Sequence, residues 1–66
     1  MDVHVGDRVM QVAQIGLSDT RLDGYHTVVG EVGEEKILLA KEGIEPLKDE
    51  KGDPKPWPAK SFQVVR

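Results

Sequence analysis

Alternation is the first pattern along the chain. In residues 26–32 (HTVVGEV), Val28, Gly30 and Val32 fall on one side of an extended backbone and Thr27, Val29 and Glu31 on the other. A period of two marks a strand. Gly33-Glu34-Glu35 is a turn sequence, and residues 36–40 (KILLA) form an apolar return. Residues 27–40 therefore predict a β-hairpin. The competing reading is one helix over residues 28–42, with Glu31, Glu34, Glu35 and Lys36 as its solvent face. That helix would contain Gly30 and Gly33, each costing ~1 kcal/mol relative to alanine. It would also hold Val28, Val29 and Val32 where branched side chains lose rotamer freedom. The hairpin is preferred.

The remaining segments are shorter. Residues 3–5 are extended and lead into a Gly6-Asp7 turn. Residues 8–14 (RVMQVAQ) read as a strand with Met10 and Val12 on one face, while Arg8, Val9 and Gln11 are not assigned to either. Residues 15–25 form a polar loop containing Asp19 and Asp23-Gly24. Residues 41–58 are acidic and proline-rich and carry two readings. One is a second hairpin, with Ile44 and Leu47 on one side, Trp57 on the other and a tip from Asp49 to Pro54. The other is a long surface loop. Pro58 is placed to start a single helical turn through Ser61, and residues 62–66 (FQVVR) form a closing strand. Seven glycines and four prolines punctuate the chain too densely for long helices.

At 66 residues the chain makes one domain, spanning residues 1–66. Ordering it costs roughly 100 kcal/mol, and burying ~4,000 Å² of apolar surface about offsets that. Little stability is left over to support a buried catalytic site. Five short strands with no helix to cover them leave one sheet face wet unless the sheet curls into a barrel. The fold class expected is therefore all-β, a small five-stranded barrel with one short helical turn before the last strand.

Particular residues carry a family resemblance. Val5-Gly6-Asp7-Arg8-Val9 and Thr27-Val28-Val29-Gly30-Glu31-Val32 resemble the opening strands of KOW-type bacterial SH3-like domains. Pro58-Ala59-Lys60-Ser61-Phe62 resembles the single helical turn before the last strand of that class. The resemblance implies an SH3-like barrel over nearly the whole chain, a fold that hosts many unrelated functions. The KOW likeness implies nucleic-acid binding, which would need Arg8, Arg21, Lys55, Lys60 and Arg66 on one face. The plasmid-type, trimethoprim-resistant dihydrofolate reductases are also small SH3-like barrels, and they share a similar Gly-Asp-Arg-Val entry. This chain has Phe62-Gln63-Val64-Val65 in place of their Val-Gln-Ile-Tyr, so an oligomeric reductase is the remote alternative. In eukaryotic SH3 domains, loop aromatics line a groove for proline-rich ligands. Tyr25 and Trp57 sit in comparable segments, but the Ala-Leu-Tyr-Asp-Tyr opening and the Trp-Trp pair are missing here.

Charge and composition narrow the chemistry. Nine basic and twelve acidic residues give a net charge of −3. Residues 31–53 hold eight of the acids against four lysines, a stretch that repels phosphate backbones. There is no cysteine, which excludes disulfides, zinc ribbons, iron–sulfur ligation and thiol catalysis. A cytoplasmic location is expected. No apolar run approaches the ~20 residues that span a bilayer, and the first five residues do not read as a signal peptide. His4 and His26 match no metal-binding spacing with Asp2, Asp7, Asp23 or Glu31. Asp19, Asp23, Asp49, Glu50 and Asp53 lie where turn chemistry explains them. Ser18 and Ser61 lack a nucleophile-elbow context. No catalytic residue, cofactor or metal is assigned.

The apolar doublets Val28-Val29, Leu38-Leu39 and Val64-Val65 are the most informative surface signal. Successive strand residues point to opposite faces, and a small barrel buries only one. One member of each doublet must point outward, where adjacent apolar side chains form a contact patch. The expected function is therefore that of a non-enzymatic interaction module. It would bind protein, itself or a partner, through a strip built from Val29, Leu38, Val65 and Trp57, with Tyr25 on a neighbouring loop.

Overall fold

The computed structural model describes residues 3–12 and 21–65. Among these the protein is all-β, with five antiparallel strands and one 3₁₀ turn: β1 (Arg8–Gln11), β2 (Tyr25–Val32), β3 (Lys36–Ala40), β4 (Trp57–Pro58), the turn Ala59–Ser61 and β5 (Phe62–Val64). The strand order is β4-β3-β2-β1-β5. The chain meanders from β1 to β4, then returns so that β5 pairs with β1, with Val9 opposite Val64 and Gln11 opposite Phe62. Pro58 precedes the 3₁₀ turn, as its preset backbone angle favours. This arrangement is compatible with an SH3-like barrel. Residues 13–14 of the expected first strand, Ser18 and Asp19 of the first loop, Asp2 and Arg66 fall outside the described residues.

The hairpin of β2 and β3 forms as expected, closed by residues 33–35 with Gly33 at φ 65°, where glycine avoids the Cβ clash. Its register carries one irregularity. Val28 pairs with Leu39, but Gly30 pairs with Leu38, so Val29 is the extra residue of a β-bulge. The bulge resets the alternation. Val28 is buried while Val32 is 42% exposed, which corrects the expectation that Val28, Gly30 and Val32 share a face. Gly30 lies under Leu38, where an added Cβ would approach the Leu38 Cδ1 to 3.0 Å.

The core is filled from all five strands. Val3, Val9, Val28, Ile37, Leu39, Trp57, Ala59 and Phe62 form one buried cluster, with Leu22, Leu47 and Val64 packed against it. On β1 the inward residue is Val9, while Met10 and Val12 are exposed on the outer side. Trp57 meets Phe62 edge to face at 6.2 Å between ring centroids, a favoured aromatic geometry. The Lys55 ammonium lies 4.4 Å from the Trp57 ring centre, a cation–π contact worth about 0.5–1 kcal/mol when exposed.

Within residues 41–58 a narrow hairpin forms over residues 47–55, held by backbone bonds and joined to β3. The Leu47 N–H donates to the Leu39 carbonyl at 2.7 Å and the Lys55 N–H to the Leu47 carbonyl at 2.9 Å. Lys48 and Pro54 form an antiparallel bridge. At the tip, the Asp49 carboxylate accepts the Lys51 and Asp53 N–H groups at 2.9 and 3.0 Å. A short side chain that accepts backbone donors two residues on stabilises such a turn. Leu47 packs against the core, while Ile44, expected beside it on one side of the hairpin, is 86% exposed.

Two stability outcomes are expected. Leu39→Ala removes a fully buried side chain and lowers stability by roughly 2–5 kcal/mol, as large as the whole stability of many domains this size. The variant should lose cooperative urea unfolding. Asp49→Ala should cost about 1 kcal/mol and speed hydrogen exchange at the Lys51 and Asp53 amides, leaving β2 and β3 protected.

A candidate protein-binding face

The outer side of the sheet is assembled from β1, β2 and two glycine turns. Along β2, Tyr25 and Thr27 point away from the core, because His26 and Val28 between and beyond them are buried. On β1, Met10 stands opposite Tyr25 and Arg8 opposite Thr27. Tyr25 is 53% exposed, and Met10 and Val12 are exposed with it.

The first turn docks onto β2. The Gly6 N–H donates to the Val28 carbonyl at 2.8 Å, and the Val28 N–H donates to the Asp7 carbonyl at 2.9 Å. The turn closes on itself through the Asp7 N–H to the His4 carbonyl, 3.0 Å, and the His4 N–H to the Asp7 carboxylate, 2.9 Å. Gly6 has φ 97° and Gly43 φ 68°, a region that side-chain-bearing residues avoid. These two turns project Val5 and Ile44 to 57% and 86% exposure. Between them opens a shallow groove of about 380 Å³ lined by Val5, Gly6, Thr27, Val28, Val29, Gly43 and Ile44. Nothing stands within 4 Å of where a Cβ on either lining glycine would sit, so it is the positive φ and not crowding that calls for glycine at both turns.

The anticipated strip residues are distributed unevenly. Val29 lines the groove, and Tyr25 lies further along the same strand on the outer side. Leu38 is half-buried beside Gly30. Val65 is half-buried, with its N–H donating to the Arg8 carbonyl at 2.7 Å. Trp57 corrects the expectation. It is 3% exposed and packed on Phe62 beneath Lys55, so it belongs to the core and not to an outward strip. In the doublets of β2 and β3, Val28 and Leu39 are buried and Val29 and Leu38 half-buried, whereas Val64 and Val65 are both half-buried. Val29 lines the groove beside Val5 and Ile44, to which the doublets do not point. Their only sequence signal is adjacency to Gly6 and Gly43.

Beyond this face, chemistry-bearing groups are sparse. Among the described residues no three His, Asp or Glu side chains converge as metal ligands would. Lys48, Asp49, Glu50, Lys51 and Lys55 line an open hollow at the hairpin tip, where Lys48 pairs with Glu45 at 2.8 Å. No helix among the described residues is long and apolar enough to cross a membrane. His26, Trp57 and Ser61 each bury a polar side-chain atom without a hydrogen-bond partner: His26 Nδ1, Trp57 Nε1 and Ser61 Oγ. Burial pushes the His26 imidazole below its ordinary value; the Gly24 backbone opposes the shift and the Lys41 charge adds to it.

No family model, curated protein or solved structure matches this chain.

The His26 environment sets a pH dependence. In the unfolded chain the imidazole titrates near its usual ~6.5, and in the folded protein lower. As pH falls through about 6.5 the unfolded chain takes up the proton first, so stability is full above that value and declines below it. The urea midpoint should therefore be lower at pH 5.5 than at pH 7.5. In His26→Leu that difference should shrink.

Proposed function

We propose that this protein is a non-enzymatic interaction module that binds a protein surface through the outer face of β1 and β2. The observation that supports this reading most is the groove of Val5, Val29 and Ile44, continued along β2 by Thr27 and Tyr25 and flanked by Met10. Aliphatic side chains gathered around a groove, Val5 and Ile44 exposed among them, are costly to leave in water, and contiguous apolar patches mark contact sites. A fold hosts many functions, so the reading rests on this face and not on the barrel.

Nucleic-acid binding of the KOW type draws on Arg8, Arg21, Lys55, Lys60 and Arg66 and has weaker support. The Lys55 ammonium is engaged over Trp57, Lys60 lies in the 3₁₀ turn and Arg8 on β1, and Arg66 lies outside the described residues. Residues 31–53, with eight acids against four lysines, add repulsion.

Two measurements test the proposal. A photo-crosslinking residue at position 29 should capture protein in cells producing the chain, and Ile44→Glu should abolish the adducts. The same residue at Glu34, exposed in the β2–β3 turn, should capture little. Equal capture at both positions, or capture indifferent to Ile44→Glu, would overturn the reading. So would a gel shift with mixed RNA and DNA at ~50 mM salt, where phosphate contacts are strong, that Arg8→Glu removes and Ile44→Glu does not.

A further inference from the structure

We infer that the surface bound at this face is a second copy of the chain, paired across a twofold axis with Ile44 of each copy seated in the other's groove. The inference rests on the interaction-module reading and names its partner. Three features carry it.

The first is shape. A twofold interface uses one patch against itself, so that patch must hold both a projection and its receptor. Ile44, 86% exposed on the Gly43 turn, stands at the rim of the groove formed by Val5, Thr27 and Val29. The groove's volume of about 380 Å³ leaves room for a branched aliphatic side chain. Knob and hole therefore lie side by side on one surface.

The second is charge. The chain carries a net −3, which opposes self-association at most orientations. The chain neighbours of the groove are balanced. Asp7 follows Gly6, and Glu42 precedes Gly43; Arg8 stands opposite Thr27, and Lys41 follows Ala40, which also pairs with Thr27. Glu45, next to Ile44, is neutralised by Lys48. The acids at Glu31, Glu34, Glu35, Asp49, Glu50 and Asp53 lie in the hairpin turn, at its base or in the second hairpin tip. The charges adjoining the groove therefore oppose self-pairing less than the net charge does.

The third is area. Val5, Met10, Val12, Tyr25 and Ile44 are all exposed and together offer on the order of 500 Å² of surface, against roughly 800 Å² per partner in a standard interface. That deficit points to a reversible dimer, not a permanent one.

Sedimentation velocity on the full chain from ~10 µM to ~1 mM should show a monomer–dimer equilibrium. Ile44→Glu should weaken it at least tenfold while leaving the circular-dichroism spectrum unchanged, because the side chain makes no part of the core. In a sample mixing isotope-labelled and unlabelled chains, isotope-filtered NMR should show contacts from the Ile44 methyls to Val29 and Val5 of the other copy. A monomer throughout that range would overturn the self-pairing. So would a dimer that Ile44→Glu leaves intact. Position-29 adducts heavier or lighter than two chains, lost in Ile44→Glu, would overturn the self-pairing while upholding the module. Absence of Ile44-dependent adducts together with a monomer would sink both.

Discussion

A sheet of short strands with no helix beside it can hide apolar side chains only by curving over itself. That constraint governs the rest of this molecule. β1 must pair with both β2 and β5, and the 3₁₀ turn must carry the chain from β4 to β5. Each strand then contributes few inward positions, yet they suffice for one continuous core: Val9 from β1, Val28 from β2, Ile37 and Leu39 from β3, Trp57 from β4 and Phe62 from β5. Having only one inside also means that apolar residues in excess of those positions face water. The outer face is a by-product of the same geometry that makes the core.

The bulge at Val29 links fold to surface. Inserting one residue opposite a regular β3 turns the end of β2 and breaks the simple alternation of its side chains. Val28 stays inside, Val29 reaches the groove, and Val32 is left at the exposed end. Glycine turns complete the face from either side. Gly6 and Gly43 take backbone conformations that other residues resist, and the residues they carry, Val5 and Ile44, project outward as a consequence. The face is built by backbone geometry more than by any concentration of apolar residues in sequence.

The interior retains polar atoms that the small core does not satisfy. Burying an imidazole nitrogen, an indole N–H and a hydroxyl without partners is unfavourable, and in a domain with little stability to spare each has weight. His26 is the one that titrates near neutrality, so the cost of its burial rises as pH falls. The Lys55 ammonium lies over the Trp57 ring face but, being a donor, leaves the indole N–H without an acceptor.

Much of the architecture is legible in residue order. Valine-rich runs separated by glycine specify the β2–β3 hairpin, since turn chemistry and β-branching act over neighbouring residues. Pro58 specifies the short helical turn for the same local reason, and the cysteine-free composition excludes disulfide and thiol chemistry outright. Other features depend on residues distant in sequence. Trp57 reads as an exposed loop aromatic until β4 pairs with β3 and Phe62 meets its ring. Ile44 reads as a companion of Leu47 on one side of the second hairpin until Gly43 turns it outward, and Val5 reads as a strand end until Gly6 bonds to Val28. Burial is a property of the assembled sheet, set by which strands meet across the molecule, and local sequence carries no record of those meetings.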